Sequence, residues 1–357
     1  MIHPHEYYMK IALNLAKKGM GFVSPNPCVG AVVVDRHGNI ISKGYHRYYG
    51  GPHAEVYALE HLDKKQAKDA TLYVTLEPCN HFGKTPPCTE LIIKKGIRKV
   101  VVGLLDPNPI VNGAGIKRLK ESGIAVTTGV LENLLAKFYK PFNKYITKKI
   151  PFITLKVAQS LDGKNSVKIG NKYLVSEKTL KFVHRLRFES DAIMVGINTI
   201  ISDNPKLNIR YGNKKPLLKV VLDTNGRMPE NAEVYNTKGK VLIYTANKKI
   251  KKKHDNEEIC YVDKVGNYCN ILQVLNDLGN RGIQNLLVEG GGTLSFELIK
   301  NKLLDRLILI ITPYIIGGSD FLSFKGEGFS SLKESLKIKD YSLKKIDKDL
   351  ILISDLI

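Results

Sequence analysis

A histidine, two cysteines and a glutamate near the start of the chain are the residue types of a catalytic zinc site. His53 and Glu55 stand in the run PHAE, Cys79 ends the run TLEPC, and Cys88 ends the run TPPC. One imidazole and two thiolates give zinc three protein ligands and leave a fourth tetrahedral position for a water, whose pKa zinc can lower to about 7. Glu55, two residues after the histidine, is placed to carry the proton of that water.

Chance is the alternative to this prediction, because buried cysteines are common and usually inert. The surrounding sequence favours the metal site. Pro52 stands where a helix would begin, and the apolar run 71–76 predicts a strand that delivers Cys79 from its end. Cys88 opens a helical run, 89–95, and thiolates are favoured at helix N-termini. Predicted elements therefore place all three ligands.

The spacing of the cysteines narrows the type of site. Zinc deaminases use a histidine, two cysteines and a separate glutamate, but most have two residues between the cysteines. Here the eight residues NHFGKTPP separate Cys79 from Cys88. This loop, together with the runs PNPCVG at 25–30 and GYH at 44–46, resembles the bifunctional deaminase/reductase family of riboflavin biosynthesis.

In that family the loop and the Pro-Asn-Pro segment shape the pyrimidine pocket. The resemblance therefore implies substrate contacts at Asn26, His46, His81 and Lys84. These residues have ordinary alternatives. Asn26 between two prolines could only set a turn, and His46 could be a satisfied core histidine. His81 could instead be a fourth zinc ligand, which would close a purely structural site.

Length and composition fit two globular domains. At 357 residues the chain exceeds the size at which one core stops growing, and an apolar fraction of 43% is sufficient for two cores. No apolar run reaches the ~18 residues of a membrane span, and the N-terminus has no apolar signal region, so we expect a cytoplasmic protein without a membrane partner. Five cysteines, an odd number, do not indicate a disulfide framework, so Cys28, Cys260 and Cys269 are expected to be reduced.

Apolar periodicity predicts alternating strands and helices in the first part of the chain. Strands are predicted at 29–35, 71–76 and 99–105, and helices at 6–17, 55–62, 89–95, 116–121 and 131–139. This pattern is typical of a sheet covered by helices. The run GAG at 113–115 does not complete a dinucleotide fingerprint, because Arg118 stands at the position of the third glycine, and we predict a turn there.

A domain boundary is predicted near residues 145–150, where a helical stretch ends and the basic run KKIP precedes a new strand at 152–157. We divide the chain into residues 1–147 and 148–357. Further strands are predicted at 192–195, 217–222, 240–244, 285–288 and 307–311, and helices at 177–188, 268–278 and 293–299. The alternation predicts a mostly parallel sheet with helices on both faces.

A second chemical motif follows the strand predicted at 285–288. Glu289 precedes three glycines and a helix predicted to begin at Thr293. Glycines let the backbone approach a ligand closely, and the first N–H groups of a helix suit a phosphate. The run does not complete Gly-x-Gly-x-x-Gly, because Ser295 stands at the last position, so a tight turn without a ligand is an equal alternative.

The family resemblance extends over this second domain. The family's reductase half is similar in fold to dihydrofolate reductase, and its motifs match here as KVAQSLDG at 156–163, GINT at 196–199 with DNP at 203–205, and VEGGGT at 288–293. The resemblance implies NADPH contacts at Ala158, Thr199, Asp203, Gly291, Gly292 and Thr293. It implies contacts with the sugar-phosphate substrate at Arg187, Leu207, Arg210 and Glu289.

Two points qualify this match. The arginines suit a phosphate because a planar guanidinium binds it bidentately, although a surface ion pair is the common alternative. The family often has a tryptophan near residues 171–174, which this chain lacks, so no residue is assigned there.

A net charge of +21 suggests another class of function, because strongly basic proteins often bind nucleic acid. A zinc deaminase acting on nucleic acid and a non-catalytic zinc-stabilised module are the two forms of this alternative. The distribution of charge argues against both, since lysines are spread along the chain and the densest run, 248–253, is typical of a solvated loop. The chain has no tryptophan and no aromatic residues interleaved with basic ones to stack bases. We expect no nucleic-acid partner.

The combined prediction is an α/β enzyme with an N-terminal cytidine-deaminase-like zinc domain followed by a dihydrofolate-reductase-like domain. The resemblance implies that the first domain deaminates diaminohydroxyphosphoribosylaminopyrimidine hydrolytically, with zinc as the cofactor and Glu55 as the proton carrier. The second would then reduce the ribose of the deaminated product to a ribityl chain with NADPH. The expected partner is this small molecule, and a homo-oligomer is left open.

Overall fold

The computed structural model describes residues 4–82, 86–108, 111–169 and 174–356, and it divides the chain into two compact units, Met1–Lys149 and Ile150–Ile357. The boundary that the sequence predicted, after residue 147, falls inside the last turn of a helix that ends at Lys148. Lys149 then has a left-handed φ of 57°. Because Ile150 precedes a proline, helical backbone is disfavoured at that residue, and the helix does not continue.

The first unit is built from alternating strands and helices. Its strands among the described residues are β1 (Gly30–Val34), β2 (Ile40–Tyr45), β3 (Thr71–Leu76), β4 (Lys99–Leu104) and β5 (Ala125–Thr128). Its helices are α1 (Pro4–Ala16), α2 (Ala54–Leu59), α3 (Lys64–Ala67), α4 (Cys88–Lys95), α5 (Ala114–Glu121) and α6 (Glu132–Lys148). Every element predicted in this part of the chain is present, but β2, β5, α3 and the full length of α6 were not predicted.

The strands of the first unit form one sheet in the order β2-β1-β3-β4-β5. β1 is antiparallel to both of its neighbours, whereas β3, β4 and β5 are parallel. Val100 and Val102 of β4 pack with residues of α2, α4 and α5, while Val101 between them packs with residues of α1 and α6. The sheet is therefore covered on both faces, and the carboxyl ends of β3 and β4 meet at one edge.

The second unit contains a larger set of strands. Among the described residues these are β6 (Phe152–Gln159), β7 (Ala192–Gly196), β8 (Leu218–Leu222), β9 (Val241–Thr245), β10 (Glu257–Tyr261), β11 (Lys264–Val265), β12 (Tyr268–Cys269), β13 (Asn285–Val288), β14 (Arg306–Ile311), β15 (Ser342–Ile346) and β16 (Asp349–Asp355). The helices are α7 (Glu177–Glu189), α8 (Ile197–Asp203), α9 (Ile271–Asn280) and α10 (Gly292–Lys300).

The main sheet of this unit has the order β10-β9-β8-β7-β13-β6-β14-β16-β15. Neighbours from β10 to β14 are parallel, and β16 is antiparallel to both β14 and β15. Helices α9 and α10 pack on one face, and α7 and α8 on the other. The mostly parallel sheet predicted from the alternation is present. Within the described ranges, no helix is both long enough and apolar enough to cross a membrane.

Several parts of the second unit differ from the prediction, and α8, β10 and β11 were not predicted. The helix predicted at 268–278 begins at Ile271, because the side chain of Asn270 caps it by accepting the N–H groups of Leu272 and Gln273. Tyr268 and Cys269 instead form β12 with β11. The hairpin of β15 and β16 was also missed, because an exposed edge strand interrupted by lysines has little apolar alternation.

The second unit is expected to fold without the first, because each has its own sheet and apolar core. A fragment beginning at Lys148 should show one cooperative thermal transition by circular dichroism. A fragment ending at Lys149 is the matched experiment on the first unit. If the second-unit fragment lacked a cooperative transition that the full-length chain retains, the units would not be independent.

Candidate metal centre and ligand pocket

Three metal-ligating side chains meet at one edge of the first sheet. The ligand atoms of His53, Cys79 and Cys88 all lie within 4.8 Å of one another. Among the described residues, these three form the group of histidine, cysteine and acidic side chains that could hold a metal ion. Nδ1 of His53 lies 3.5 Å from Sγ of Cys79 and 3.3 Å from Sγ of Cys88. Each ligand stands at the end of an element: His53 precedes α2, Cys79 follows β3 and Cys88 begins α4.

One side chain of this cluster carries a negative charge that a cation could neutralise. Hydrogen bonds from Cys88 and His53 outweigh burial and lower the pKa of Cys79 to about 4, so this residue is a thiolate. The hydrogen bond to Cys79 raises the pKa of His53 to about 9, against the effect of burial. Cys88 shares a hydrogen bond with the Cys79 thiolate, which raises its own pKa. A thiolate-rich set with one imidazole is the donor set that zinc prefers, so these residues fit that metal.

Glu55 lies beside the three ligands in the first turn of α2. Its side chain is only 3% exposed. Burial raises the pKa of Glu55 to about 7, although the nearby charge of His53 opposes the shift. A buried carboxyl with this pKa can both accept and release a proton near neutral pH, as a general acid–base must.

His46 is held by the protein through both ring nitrogens. Nδ1 lies 2.8 Å from the carbonyl oxygen of Pro52, so it must carry the proton, and Nε2 accepts from the amide of Asn26 at 3.3 Å. Burial lowers the pKa of His46, which keeps the ring in this neutral form. Of the two alternatives left open by the sequence, the geometry favours a satisfied core histidine. His46 fixes Pro52 and the amide of Asn26.

The loop between the two cysteines is described only in part. His81 is exposed and lies outside the cluster of metal-ligating side chains. This placement argues against His81 as a fourth zinc ligand. Lys84, the other substrate contact predicted in this loop, lies outside the described residues.

Glu77, two residues before Cys79, is a buried carboxylate that the sequence analysis did not identify. It accepts four backbone N–H groups, from Asp106, Gly113, Gly115 and Ile116, at 2.9 to 3.3 Å. A Cβ on Gly115 would lie 2.1 Å from the carbonyl oxygen of Pro78, so this close approach requires glycine. The GAG segment at 113–115 thus binds the buried carboxylate of Glu77 through backbone N–H groups.

Asp106 is a further residue at this edge that the sequence did not single out. It follows β4, is 8% exposed, and its backbone N–H donates to Glu77. Burial raises the pKa of Asp106 to about 6. An acidic residue within two positions of the end of a buried parallel strand was the signal available for both Asp106 and Glu77.

The second unit contains a cavity of about 1600 Å³ at the carboxyl ends of its parallel strands. All ten residues that the resemblance assigned to NADPH and to the sugar-phosphate line it. They are Ala158, Arg187, Thr199, Asp203, Leu207, Arg210, Glu289, Gly291, Gly292 and Thr293. The sequence prediction therefore selected residues from five separated segments that the fold brings to one cavity.

Buried charges form one wall of this cavity. Arg187 binds Glu289 through two nitrogens, at 2.6 and 3.1 Å, and Nζ of Lys156 lies 2.9 Å from the same carboxylate. Burial alone would raise the pKa of Glu289, but the charges of Arg187 and Lys156 outweigh it and hold this pKa well below its usual range. Lys156 was quoted only as part of a motif, and the structure adds it to the site.

Gly290, Gly291 and Gly292, here called the glycine joint, form another part of the cavity lining. Gly291 precedes α10, which begins at Gly292 without a side-chain cap. A Cβ on Gly292 would lie 2.1 Å from the carbonyl oxygen of Leu322, so the backbone passes closely there. Leu207 has a left-handed φ of 45° and a side chain that is 3% exposed, so its backbone is the part available to a ligand.

Comparison with known proteins places both units. Residues 2–104 match the family profile described as the cytidine and deoxycytidylate deaminase zinc-binding region, and residues 151–352 match the RibD C-terminal domain. The riboflavin biosynthesis protein RibD of Aquifex aeolicus is 43% identical over 97% of this chain and 96% of its own length. The protein of the same name from Escherichia coli is 32% identical over 97% and 98%.

Solved structures agree with these matches. A diaminohydroxyphosphoribosylaminopyrimidine deaminase/5-amino-6-(5-phosphoribosylamino)uracil reductase from Thermotoga maritima has a TM-score of 0.90 at 37% identity, covering 99% of both chains. RibD from Acinetobacter baumannii has a TM-score of 0.87 at 32% identity, covering 99% of this chain and 98% of its own. The predicted fold class, a cytidine-deaminase-like domain followed by a dihydrofolate-reductase-like domain, is confirmed.

Replacing Glu77 with glutamine should destabilise the first unit by about 1–3 kcal/mol, because an amide group would face backbone N–H donors and leave some unpaired. We also expect weaker retention of zinc, since Cys79 is two residues away. Urea denaturation of the full-length chain and metal content after dialysis measure these effects. Glu121→Gln, which removes a surface ion pair with Lys117 and is distant in sequence from the three ligands, is the control. Equal midpoints and zinc contents for the two variants would contradict this role of Glu77.

Proposed function

The chain belongs to the RibD family, whose members are bifunctional deaminase/reductase enzymes of riboflavin biosynthesis, and we propose that each of its two units carries one activity. The unit Met1–Lys149 would deaminate diaminohydroxyphosphoribosylaminopyrimidine. The unit Ile150–Ile357 would reduce 5-amino-6-(5-phosphoribosylamino)uracil at its ribose, giving a ribityl chain. These substrates are the ones named for the related enzyme of Thermotoga maritima.

The observation that carries the deaminase proposal is the meeting of three metal ligands beside a buried glutamate. His53, Cys79 and Cys88 would hold zinc. Zinc in such a site supplies a Lewis acid that makes water a nucleophile near neutral pH. Glu55 would take the proton of that water and pass it to the departing amine, which its pKa near 7 permits.

Asn26 would contact the pyrimidine, and His46 would position Asn26. The amide nitrogen of Asn26 donates to His46, so its Oδ1 is oriented to accept an N–H group of the ring. His46 would act through Asn26 and through Pro52, the residue before a metal ligand, without touching the substrate. His81 is exposed near the centre and would contact the phosphoribosyl part, and the same role is proposed for Lys84.

In the second unit the glycine joint would bind the pyrophosphate of NADPH, which supplies the hydride. Gly291, Gly292 and Thr293 open α10, whose N–H groups and dipole suit an anion. Thr199 faces the joint, since a Cβ on Gly291 would lie 3.9 Å from its Oγ1. Ala158 and Asp203 line the same cavity and complete the proposed cofactor contacts.

The charged wall would bind the sugar-phosphate. Arg210 would bind the phosphate, and Arg187 would assist while it holds Glu289 ionised. Lys156 and Glu289 together offer a cation and a carboxylate to the hydroxyl groups of the sugar. Leu207 would contribute through its backbone. The protein's main task here is to hold the sugar against the nicotinamide.

The alternative of a nucleic-acid target has less support. The family match is to enzymes named for a phosphoribosyl pyrimidine, and the cavity of the second unit has the size of a small-molecule site. We attribute part of the net charge of +21 to attraction of these phosphorylated molecules, and we place the enzyme in the cytoplasm, where such metabolites are made.

Replacing Glu55 with glutamine should slow ammonia release by roughly 10²- to 10⁴-fold, because a positioned proton carrier is worth about that factor. Zinc should remain at the wild-type level, because Glu55 is not a ligand. Glu60→Gln, at the exposed end of the same helix, is the control and should retain full activity. Loss of zinc from the Glu55 variant would make it a ligand or a support, and full activity would remove it from the mechanism.

Replacing Arg210 with alanine should weaken binding of the reductase substrate by roughly 10- to 150-fold, because charge-assisted hydrogen bonds to phosphate are lost. Deamination and NADPH affinity should not change, which steady-state kinetics and a fluorescence titration can measure. Arg185→Ala removes an exposed arginine of α7 and serves as the control. Equal Michaelis constants for the two variants would exclude Arg210 from the phosphate site.

A further inference from the structure

His184 is a buried residue that neither the sequence nor the proposed reaction assigns. It lies on α7, one turn before Arg187, and its side chain has no solvent exposure. It is not one of the residues that line the cavity, so it cannot touch a bound ligand directly. Its ring packs edge-on against Tyr211, with the centroids 5.1 Å apart.

The hydrogen bonds of His184 define the state of its ring. The backbone N–H of Arg210 donates to Nδ1 at 3.0 Å. A neutral imidazole accepts at one nitrogen only, so Nε2 carries the proton. Nε of Arg210, 3.4 Å from Nε2, therefore faces another donor and not an acceptor. His184 therefore holds the backbone of Arg210 through the shorter contact and also lies against its guanidinium group.

The surrounding charges keep the ring neutral. Burial and then the charges of Arg187 and Arg210 lower the pKa of His184 to about 4, while Glu289 opposes and Lys156 adds to the shift. Protonation would remove the acceptor for the backbone N–H of Arg210 and would place a third cation beside two arginines. The contact therefore persists throughout the neutral pH range.

The segment held by this contact lies outside the regular secondary structure. Residues 204–210 belong to neither a helix nor a strand, so no ladder of hydrogen bonds sets their position. Helix α7 contacts the segment at two points: Arg187 donates to the carbonyl oxygen of Asn208 at 2.9 Å, and His184 accepts from Arg210. Leu207, directly before Asn208, has a left-handed backbone conformation and packs in the core.

We propose that His184 is a positioning residue that fixes Arg210 on the cavity wall and thereby sets the affinity of the reductase for the phosphate group of its substrate. This inference rests on the proposed reductase function. His184 would not contact the substrate. Its ring nitrogen would accept the hydrogen bond that keeps the segment 204–210 in position against α7. Loss of this acceptor would therefore reduce the preference of the enzyme for phosphorylated over dephosphorylated substrate.

The test compares two variants of matched length in the full-length enzyme. His184→Gln offers an amide oxygen to the N–H of Arg210, whereas His184→Met fills similar space without a strong acceptor. The Michaelis constant for 5-amino-6-(5-phosphoribosylamino)uracil should rise roughly 5- to 10-fold in His184→Met, the loss expected for one hydrogen bond, with turnover within about 2-fold. His184→Gln should keep the wild-type constant.

The dephosphorylated substrate separates positioning from general damage. With 5-amino-6-ribosylaminouracil, which has no phosphate to bind, His184→Met and the wild type should have equal Michaelis constants, and NADPH affinity measured by fluorescence should be equal too. Equal constants with the phosphorylated substrate, or equal losses with both substrates, would overturn the proposal. If His184→Met does not fold, His184→Gln tests the proposal alone. Loss of its preference for the phosphorylated substrate would contradict the acceptor role, and retention of that preference would support it.

Failure of the proposed function would give a different result. In that case the wild-type enzyme would not oxidise NADPH with either uracil, whereas failure of the His184 proposal leaves the wild-type activity intact.

Discussion

Charge buried at the carboxyl ends of parallel strands is the constraint on which both units depend. An uncompensated buried carboxylate is costly, so the chain must bring partners to it. Glu77 follows β3 and receives four backbone N–H groups, and Glu289 follows β13 and receives Arg187 and Lys156. In both units the compensation is supplied by segments far away in sequence, which fixes how those segments approach the strand.

The same compensation places the reactive groups. Cys79 lies two residues after Glu77, so the backbone that Glu77 anchors is the backbone that presents a proposed metal ligand. The glycine joint begins directly after Glu289, and the arginine that neutralises Glu289 also holds the segment that contains Arg210. Function therefore follows from a structural requirement: groups that must be held rigidly to satisfy a buried charge are available, already oriented, for chemistry.

The sequence was sufficient to select His53, Cys79 and Cys88, which the structure brings together, and to predict most strands and helices, because both depend on local spacing and apolar periodicity. It was not sufficient for Glu77, whose partners lie 29 to 39 residues away, or for the roles of Lys156 and His184. Those roles appear only when β6, α7 and β13 are packed together. His46 shows the same limit. The resemblance implied a substrate contact and a core histidine was left open, and only its two hydrogen bonds indicate support for Asn26 and Pro52.

The central claim is that one chain carries a zinc-dependent deamination followed by a pyridine-nucleotide reduction in separate units. The most direct measurement gives the full-length enzyme diaminohydroxyphosphoribosylaminopyrimidine and NADPH, and follows ammonia release and NADPH oxidation together, with and without a zinc chelator. We predict that ammonia release precedes NADPH oxidation, and that the chelator stops both with this substrate but leaves reduction of the deaminated uracil unchanged. Ammonia release that persists after zinc is removed, or NADPH oxidation without prior ammonia release, would contradict the account.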